Sequence, residues 1–366
     1  MNNNPTVLEI KLSSIEHNLN FFRSKIQNST KVLAVVKASG YGSDAISVAR
    51  LLEKLEVDYF AVAYADEGIA LREAGINTPI LVLHPQLQNL NLLIQHCLEP
   101  NLYSKKILLS FLEIATNSEL DKYPIHLKFN TGLNRLGFRS SDLDFLVPLL
   151  KNQHAVHVKS IFSHLVASED ESERDFTGNQ IKQFKSIAAA FESSMGFRPL
   201  LHMTNTSGIL NFNNAHFDMI RLGLGLYGFA NDLHINSKLK NVLSLKSVIS
   251  QIHEVKKNQS VGYNRGFVSN KMMKTATIPL GHADGFFRSL SQGKVFVKVN
   301  GHKAPVIGNI CMDMIMIDVT AIPCVEGDQV IIFDDQKEVL EMASQANTIS
   351  YEILTAFGSR IKRISV

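Results

Sequence analysis

Several short apolar segments of the chain end in a polar residue that could do chemistry. Lys37 follows the buried-looking run AVV, and burial lowers the pKa of a lysine, as an amine that acts as a base or nucleophile requires. A lysine whose stem packs inside the protein while its head reaches the rim is the structural alternative. The other polar residues at segment ends are Lys128, His164, His202 with Asn205, and Arg221.

Two glycine-rich segments accompany these residues. Gly40-Tyr41-Gly42 follows Lys37 and would let the backbone turn sharply, with an aromatic ring beside the lysine. The segment 221–225, with Gly223 and Gly225, would offer backbone N–H groups to a phosphate. Taken alone, neither segment indicates a site: glycine-rich turns are common after strands, and a tight turn out of the barrel is the better explanation of 221–225.

The elements that must position these residues alternate between strand-like and helix-like patterns. Ser13-Ser14-Ile15-Glu16 predicts that a capping box starts the first helix. Alternation implies right-handed crossovers and a parallel sheet, and eight strands favour a closed barrel with its chemistry at the strands' C-terminal ends. The chain is therefore predicted to be α/β, with a (β/α)8 TIM barrel over residues 10–235. The predicted strands are 31–38, 58–64, 79–83, 98–104, 125–129, 158–165, 200–205 and 217–224.

The pattern changes near Asn236. From there, alternating strands such as 294–299 and 314–319 are separated by Gly/Asn/Asp turns. We expect a mainly β domain over 236–366, with the strand-like segment in residues 1–9 joined to it.

Composition excludes several classes of protein. The 366 residues are 45% hydrophobic and 19% charged, with a net charge of +3, which is typical of a soluble globular protein. Cationic residues form no stripe for nucleic acid, no apolar run is long enough for a membrane span, and no signal peptide is evident. Three scattered cysteines and dispersed histidines predict neither disulfides nor a metal site, and favour the cytoplasm.

Nine segments in order resemble the signatures of the alanine racemase family, which comprises fold-type III pyridoxal-phosphate enzymes. The resemblance covers residues 6 to 363. It implies that pyridoxal 5′-phosphate is the cofactor and alanine the substrate, that a homodimer shares its active sites, and that D-alanine is supplied for peptidoglycan. The segments are AVVKASGYG, HLKFNTGLNRLGF, FSHLVASED, HMTNTSG, IRLGLGLYG, VGYNRG, GHADGFFR, GNICMDMIMIDVT and TISYEIL.

The resemblance also implies a role for individual residues. Lys37 would form the aldimine with the cofactor and act as base on one face of the substrate Cα, with Tyr263 of the partner subunit on the other. Arg221 would face the pyridine nitrogen, and Arg135 would contact the cofactor oxygen and the substrate carboxylate. His164 would bridge Arg221 and Tyr263. Further cofactor-binding positions are Tyr41, Asn205, Thr206, Gly223, Leu224 and Tyr351; Met312 would contact substrate, and Lys128, His202 and Asp313 would support the site.

Three positions depart from the family pattern. His282 stands where a tyrosine that lines the access channel is expected, and Asn130 stands where aspartate is common. Thr206 replaces a serine and keeps the hydroxyl. The departure at Asn130 concerns the carbamylation of Lys128, because Lys128 matches a lysine that is carbamylated in some members of the family.

Racemisation removes a proton from one face of Cα and delivers one to the opposite face, so two opposed bases are the simple solution. A lysine and a tyrosine with ordinary pKa values of about 10.4 and about 10 must be shifted downward, which neighbouring cations achieve. A guanidinium at the pyridine nitrogen releases no proton to the ring, and this restraint would limit side reactions.

Rival interpretations share part of these features. A broader-specificity amino-acid racemase, acting on serine for example, would use the same catalytic pair in a wider pocket. A non-catalytic pyridoxal-phosphate protein would resemble the barrel alone and lack residues 236–366. A decarboxylase of this barrel type would place a carboxylate, in place of Arg221, at the pyridine nitrogen.

Overall fold

The computed structural model describes residues 4–366, and an eight-stranded parallel barrel forms its first part. The strands pair in the order β8-β7-β6-β5-β4-β3-β2-β9, and the N–H of Asp218 donates to Leu201 O at 3.1 Å where the two edges meet. The predicted (β/α)8 barrel is therefore confirmed. Its strands are β2 (Lys31–Val35), β3 (Tyr59–Val62), β4 (Ile80–Val82), β5 (Glu99–Leu102), β6 (Tyr123–Lys128), β7 (Val156–Phe162), β8 (Leu200–His202) and β9 (Met219–Leu222).

Helices pack around the barrel because each buries one apolar face. In the helix that follows β2, Asp44 caps the first turn by accepting the N–H of Ile46 at 3.0 Å, and Val48 and Leu52 are buried. Among the helices of residues 4–366, none has both the length and the apolar character that a bilayer crossing requires. The helices are Leu12–Arg23, Ala45–Lys54, Ala65–Glu73, Leu90–Gln95, Lys105–Asn117, Leu143–Lys151, Arg174–Met195, Thr206–Asn211, Leu233–Asn236, Gln336–Gln345 and Ser350–Thr355.

The start of the first helix differs from the prediction. The helix begins at Leu12 with Lys11 as its N-cap, and no side chain caps it, so the capping box predicted at Ser13 and Glu16 is wrong. A single residue separates the helix from the strand before it, and the N–H of Lys11 donates to Val242 O at 2.8 Å. This tertiary contact fixes the start of the helix.

Each of the eight barrel strands ends earlier than its predicted segment. β2 ends at Val35, and Ala38, Ser39, Gly40 and Tyr41 then have φ values of 52°, 54°, 65° and 54°. The chain therefore leaves the barrel in a left-handed turn, a conformation that L-residues rarely adopt in sequence. We call residues 37–41 the lysine turn.

The second part of the chain is mainly β, as predicted. Its nine-stranded sheet has the order β11-β14-β17-β16-β15-β18-β10-β1-β19, in which β1 (Val7–Ile10) lies between β10 and β19. β12 and β13 form a separate pair. The remaining strands are β10 (Leu243–Val248), β11 (Gln251–Val255), β12 (Ser260–Val261), β13 (Phe267–Val268), β14 (Met273–Ile278), β15 (Phe296–Val299), β16 (His302–Ile307), β17 (Ile315–Asp318), β18 (Gln329–Phe333) and β19 (Lys362–Ser365).

One continuous hydrophobic core extends through the barrel and most of this sheet. Polar contacts also join the two parts: Gln336 Nε2 donates to Gly228 O and, at 3.2 Å, to Leu239 O, while Arg363 Nε donates to Gly42 O at 3.4 Å. The lysine turn is thus held against the β domain.

Candidate active site

A cavity of about 620 Å³ lies at the C-terminal ends of the barrel strands. Four cationic side chains line it, and within the described part of the chain no carboxylate does. Two of these cations, Lys128 and Arg221, are buried, and a cavity whose lining is positively charged favours an anionic ligand. The lining residues that the sequence singled out are Lys37, Tyr41, Lys128, Arg135, His164, Asn205, Thr206, Arg221, Gly223, Leu224 and Tyr351.

Lys37 is the first residue of the lysine turn. Burial, and secondly the Arg135 charge, lower the pKa of the Lys37 amine, while Glu67 opposes them. The Glu67 carboxylate accepts the N–H groups of Ala38 and Ala63, both at 2.6 Å, and so ties the turn to the end of β3. Sequence reasoning missed Glu67 because the contact depends on the barrel bringing two loops together.

Arg221, on β9, is buried and fixed by four partners. Its terminal nitrogens donate to His202 Nδ1 at 2.9 Å and His164 Nδ1 at 2.8 Å, and to the carbonyls of Ser163 at 2.7 Å and Met203 at 3.0 Å. Burial lowers the pKa of Arg221 to about 9, so the side chain remains a cation at neutral pH. Burial and then Arg221 hold the pKa values of both histidines well below 6.5, which makes them neutral acceptors at Nδ1.

Lys128, the last residue of β6, lies among these cations. Burial, followed by Arg221, Arg135 and Lys37, lowers the pKa of its amine to about 7. Its Nζ lies 5.5 Å from the centre of the Phe162 ring. The amine is therefore neutral in a large share of molecules near pH 7.

The glycine-rich segments meet on one side of the cavity. Thr206 Oγ1 accepts the N–H of Gly225 at 3.1 Å, and a Cβ at Gly223 would overlap the Tyr41 hydroxyl. The Tyr41 ring stacks on Tyr227 with centroids 4.6 Å apart, a support that the sequence analysis missed although Tyr227 lies in its IRLGLGLYG segment.

Asn205 also lines the cavity, but its side chain has a local partner. Its Oδ1 caps the helix Thr206–Asn211 by accepting the N–H of Gly208 at 2.8 Å. This contact positions the loop that carries Thr206.

The structure keeps three of the predicted residues away from this cavity. Tyr263 is 72% exposed, and Met312 is 59% exposed. Asp313 is exposed and pairs with Arg360 at 2.8 Å. The cavity of one chain therefore contains one of the two predicted bases.

Two of the family departures, Asn130 and His282, do not line the cavity of this chain. Asn130 Oδ1 accepts the N–H groups of Gly132 at 3.1 Å and Asn134 at 3.0 Å, and so shapes the loop that leads to Arg135. His282 is exposed, and its N–H donates to Cys311 O at 2.9 Å.

One other polar cluster resembles a metal site. Within residues 4–366, Asp334, Asp335 and Glu338 place carboxylate oxygens close together, and the amine of Lys298 contacts all three at 2.9, 3.9 and 2.6 Å. The ammonium group of Lys298 therefore already supplies the positive charge that a metal ion would bring to these carboxylates.

Pyridoxal phosphate fits the cavity on these observations. The positive lining would attract the anionic cofactor, and a lysine with a lowered pKa supplies the amine for a covalent link. The glycine-rich side would let backbone N–H groups approach the phosphate closely.

Comparisons with known proteins agree with this geometry. The model for the alanine racemase N-terminal domain matches residues 10–231, and the model for the C-terminal domain matches residues 242–365. Alanine racemase from Halothermothrix orenii is 35% identical over 98% of this chain and 96% of its own. Alanine racemase from Clostridium difficile 630 superimposes with a TM-score of 0.94 at 29% identity, covering 100% of this chain and 97% of its own. A Bartonella henselae alanine racemase structure, described as having covalently bound pyridoxal phosphate, matches at a TM-score of 0.88 and 28% identity over 99% of each chain. The chain therefore belongs to the alanine racemase family.

Proposed function

We propose that this chain interconverts L-alanine and D-alanine with pyridoxal 5′-phosphate, using two bases on opposite faces of the substrate Cα. The observation that carries the proposal is Lys37, whose pKa is lowered in a cavity lined by cations and by no carboxylate of the described residues. When bound, the cofactor supplies an electron sink that makes the Cα proton acidic.

The lining residues divide into two groups by what they would hold. The phosphate would be held by Thr206, whose helix Asn205 caps, together with Tyr41, Gly223, Leu224 and Tyr351. On the other side, Arg221, fixed by His164 and His202, would face the ring, and the Lys37 amine would hold the cofactor covalently.

Proton transfer on the first face belongs to Lys37. Its lowered pKa makes the neutral amine available near neutral pH, which is the form that takes a proton. Arg135 lines the same cavity and would bind the substrate carboxylate, which orients the Cα–H bond toward the lysine. The Arg135 charge is one of the causes that lower the pKa of Lys128, so the two side chains are close. Lys128 would orient Arg135, whether the lysine is carbamylated or not.

The second base would come from Tyr263 of the partner subunit. His164 accepts from Arg221 at Nδ1, so its own N–H is on Nε2 and can donate to a phenolate. This donation would stabilise the basic form of the tyrosine. The partner subunit's Met312 would offer its backbone N–H to the carboxylate, with Asp313 holding the surroundings of the tyrosine through Arg360.

A homodimer with shared active sites follows from this assignment. Met314, two residues after Met312, is a further apolar side chain exposed in the single chain, at 49%, as expected for an interface. We infer a cytoplasmic location, because the three cysteines are free, as is usual in a reducing compartment. The D-alanine formed there would be supplied for peptidoglycan.

The test incubates purified protein with L-alanine or with D-alanine and measures formation of the opposite enantiomer. Lys37→Ala should abolish racemisation, and Tyr263→Phe should lower it by about 100-fold or more in both directions, since general base catalysis contributes about that much. A near-normal rate for Tyr263→Phe in both directions would exclude the two-base scheme. Rates on alanine, serine and lysine separate an alanine racemase from a broader-specificity racemase, because only a wide pocket accepts lysine.

A further inference from the structure

A row of buried polar side chains, with Arg221 at one end, crosses the interior of the barrel. Five consecutive strands, β5 to β9, contribute one residue each: Glu99, His126, Ser160, His202 and Arg221, which we call the polar row. His126, Ser160 and His202 have no exposed surface, and Arg221 and Glu99 are 5% and 9% exposed. Branched apolar residues usually fill such barrels, so a polar row in this place needs a cause.

Each member of the polar row is hydrogen-bonded to the next. The joined atoms are Arg221 NH1 and His202 Nδ1 at 2.9 Å, His202 Nε2 and Ser160 Oγ at 2.9 Å, Ser160 Oγ and His126 Nδ1 at 2.6 Å, and His126 Nε2 and Glu99 Oε2 at 2.7 Å. A guanidinium cation and a carboxylate therefore stand at opposite ends of an unbroken series.

The chemistry of the groups fixes the direction of the first two bonds. A guanidinium only donates, so His202 Nδ1 accepts. Burial and the Arg221 charge hold the pKa of His202 well below its ordinary value, so the ring is neutral and has a single N–H, at Nε2. That N–H donates to Ser160 Oγ.

The direction of the remaining bonds follows from Ser160. Its buried hydroxyl already accepts from His202, and its own hydrogen needs an acceptor, which His126 Nδ1 provides. His126 then carries its N–H on Nε2 and donates to Glu99. A protonated His126 would donate at Nδ1 as well and leave the Ser160 hydrogen without its acceptor.

We propose that Glu99 is a positioning residue, the remote counter-charge that keeps Arg221 protonated and fixed in orientation through the polar row. The four hydrogen-bond partners of Arg221 found in residues 4–366 are two histidines and two carbonyls, all neutral. Bonds that all point from the cation to the carboxylate polarise one another, and so transmit its charge across the barrel.

Neutron diffraction on crystals of the deuterated native protein, as purified, tests the directions without any substitution. The expected result is deuterium on Nε2 of His126 and His202, and none on Nδ1 of either ring. Deuterium on Nδ1 of His126 would reverse the third bond and overturn the proposal. The inference rests on the proposed function only because the second test, which follows, uses pyridoxal phosphate as its probe.

The second test is a double-mutant cycle on the affinity of cofactor-free protein for pyridoxal phosphate, measured by absorbance or fluorescence titration. Glu99→Gln keeps a hydrogen-bond acceptor and removes the charge, so affinity should fall about tenfold in the native chain and by less than about twofold in the Arg221→Met background. Equal losses in both backgrounds would show that Glu99 acts on the fold alone, contrary to the proposal.

Glu53→Gln is the matched control for this cycle. Glu53 accepts hydrogen bonds from the N–H groups of Asn77 and Thr78, both at 2.8 Å, away from the polar row, and its replacement should leave cofactor affinity unchanged in both backgrounds. If the native chain binds no pyridoxal phosphate, the proposed function is wrong. The neutron result alone then tests the hydrogen-bond directions of the polar row.

Discussion

Lys128 shows how a single residue is tuned by its neighbours. It lies close to Lys37, Arg135 and Arg221 in the cavity, and its pKa of about 7 is far below the ordinary 10.5 of a lysine. Burying a protonated amine beside other cations disfavours the folded state, and the amine escapes this cost only by losing its proton.

The shift of Lys128 makes stability depend on pH. The penalty is fully present below pH 7 and disappears as the pH rises toward 10.5, where the unfolded lysine is also neutral. Lys128→Met should therefore stabilise the cofactor-free protein by a few kcal/mol at pH 6.5, and by clearly less at pH 9.5. Urea unfolding at the two pH values measures the difference.

The control is Lys106→Met, which changes an exposed lysine of the helix Lys105–Asn117 that does not line the cavity. Its effect on the free energy of unfolding should be the same at both pH values. Equal effects of Lys128→Met at pH 6.5 and 9.5 would contradict the lowered pKa.

Arg221 bears on the outcome of the reaction. A guanidinium facing the cofactor ring donates hydrogen bonds but keeps its protons, whereas a carboxylic acid can protonate the ring and make it a stronger electron sink. We expect Arg221→Glu to slow racemisation and to raise transamination, measured as pyruvate released from alanine. Arg221→Lys keeps a cation and should release no additional pyruvate. Unchanged pyruvate release by Arg221→Glu would refute this explanation.

At the scale of elements, the lysine turn depends on the β domain behind it. Gly42 follows the turn at φ +82°, and a Cβ there would overlap the Leu354 carbonyl of the helix Ser350–Thr355. Arg363 Nε donates to the Gly42 carbonyl. A glycine is therefore required for two reasons: its conformation and the close approach of another backbone.

These two reasons can be separated by substitution. Gly75 has a similar φ of +87° but no atom within 4 Å of a built Cβ. Gly75→Ala should lower the free energy of unfolding by about 1 kcal/mol through backbone strain, and Gly42→Ala by about 3 kcal/mol because overlap adds to the strain. Chemical unfolding measures both. Similar losses for the two variants would mean that the contact with the helix adds nothing.

The same elements show what sequence could and could not predict. Strand order and the placement of Lys128 and Arg221 at the cavity, with His202 behind Arg221, followed from the alternating pattern, because parallel strands bring their C-terminal ends to one face. The end of β2 could not be predicted, because β-branched residues favour strand through Val36, whereas Glu67 and the β domain select a left-handed turn.

The polar row was equally invisible in the sequence. Glu99, His126 and Ser160 lie in three strands whose spacing says nothing of their alignment, and only the pairing register sets His126 beside Ser160. Tyr263 and Met312 raise a different difficulty. They are exposed on the single chain, and in the proposed dimer the residues that they would face belong to the partner subunit.

At the scale of the whole molecule, the proposed sharing of active sites predicts complementation. Each site of a two-fold dimer would combine Lys37 of one subunit with Tyr263 of the partner subunit. Mixing Lys37→Ala protein with Tyr263→Phe protein under conditions of subunit exchange then creates mixed dimers in which one site carries both substitutions and the other carries neither.

Random exchange at equal concentrations makes about half of the dimers mixed, and one of the two sites in each is native, so activity should rise to about one quarter of the native value. Each variant exchanged with itself is the control and should stay inactive or nearly so. If both bases of a site came from one subunit, every site in the mixture would carry a substitution, and activity would not exceed the average of the two variants. The rise in rate after mixing therefore measures directly whether a lysine and a tyrosine from different chains act on one substrate.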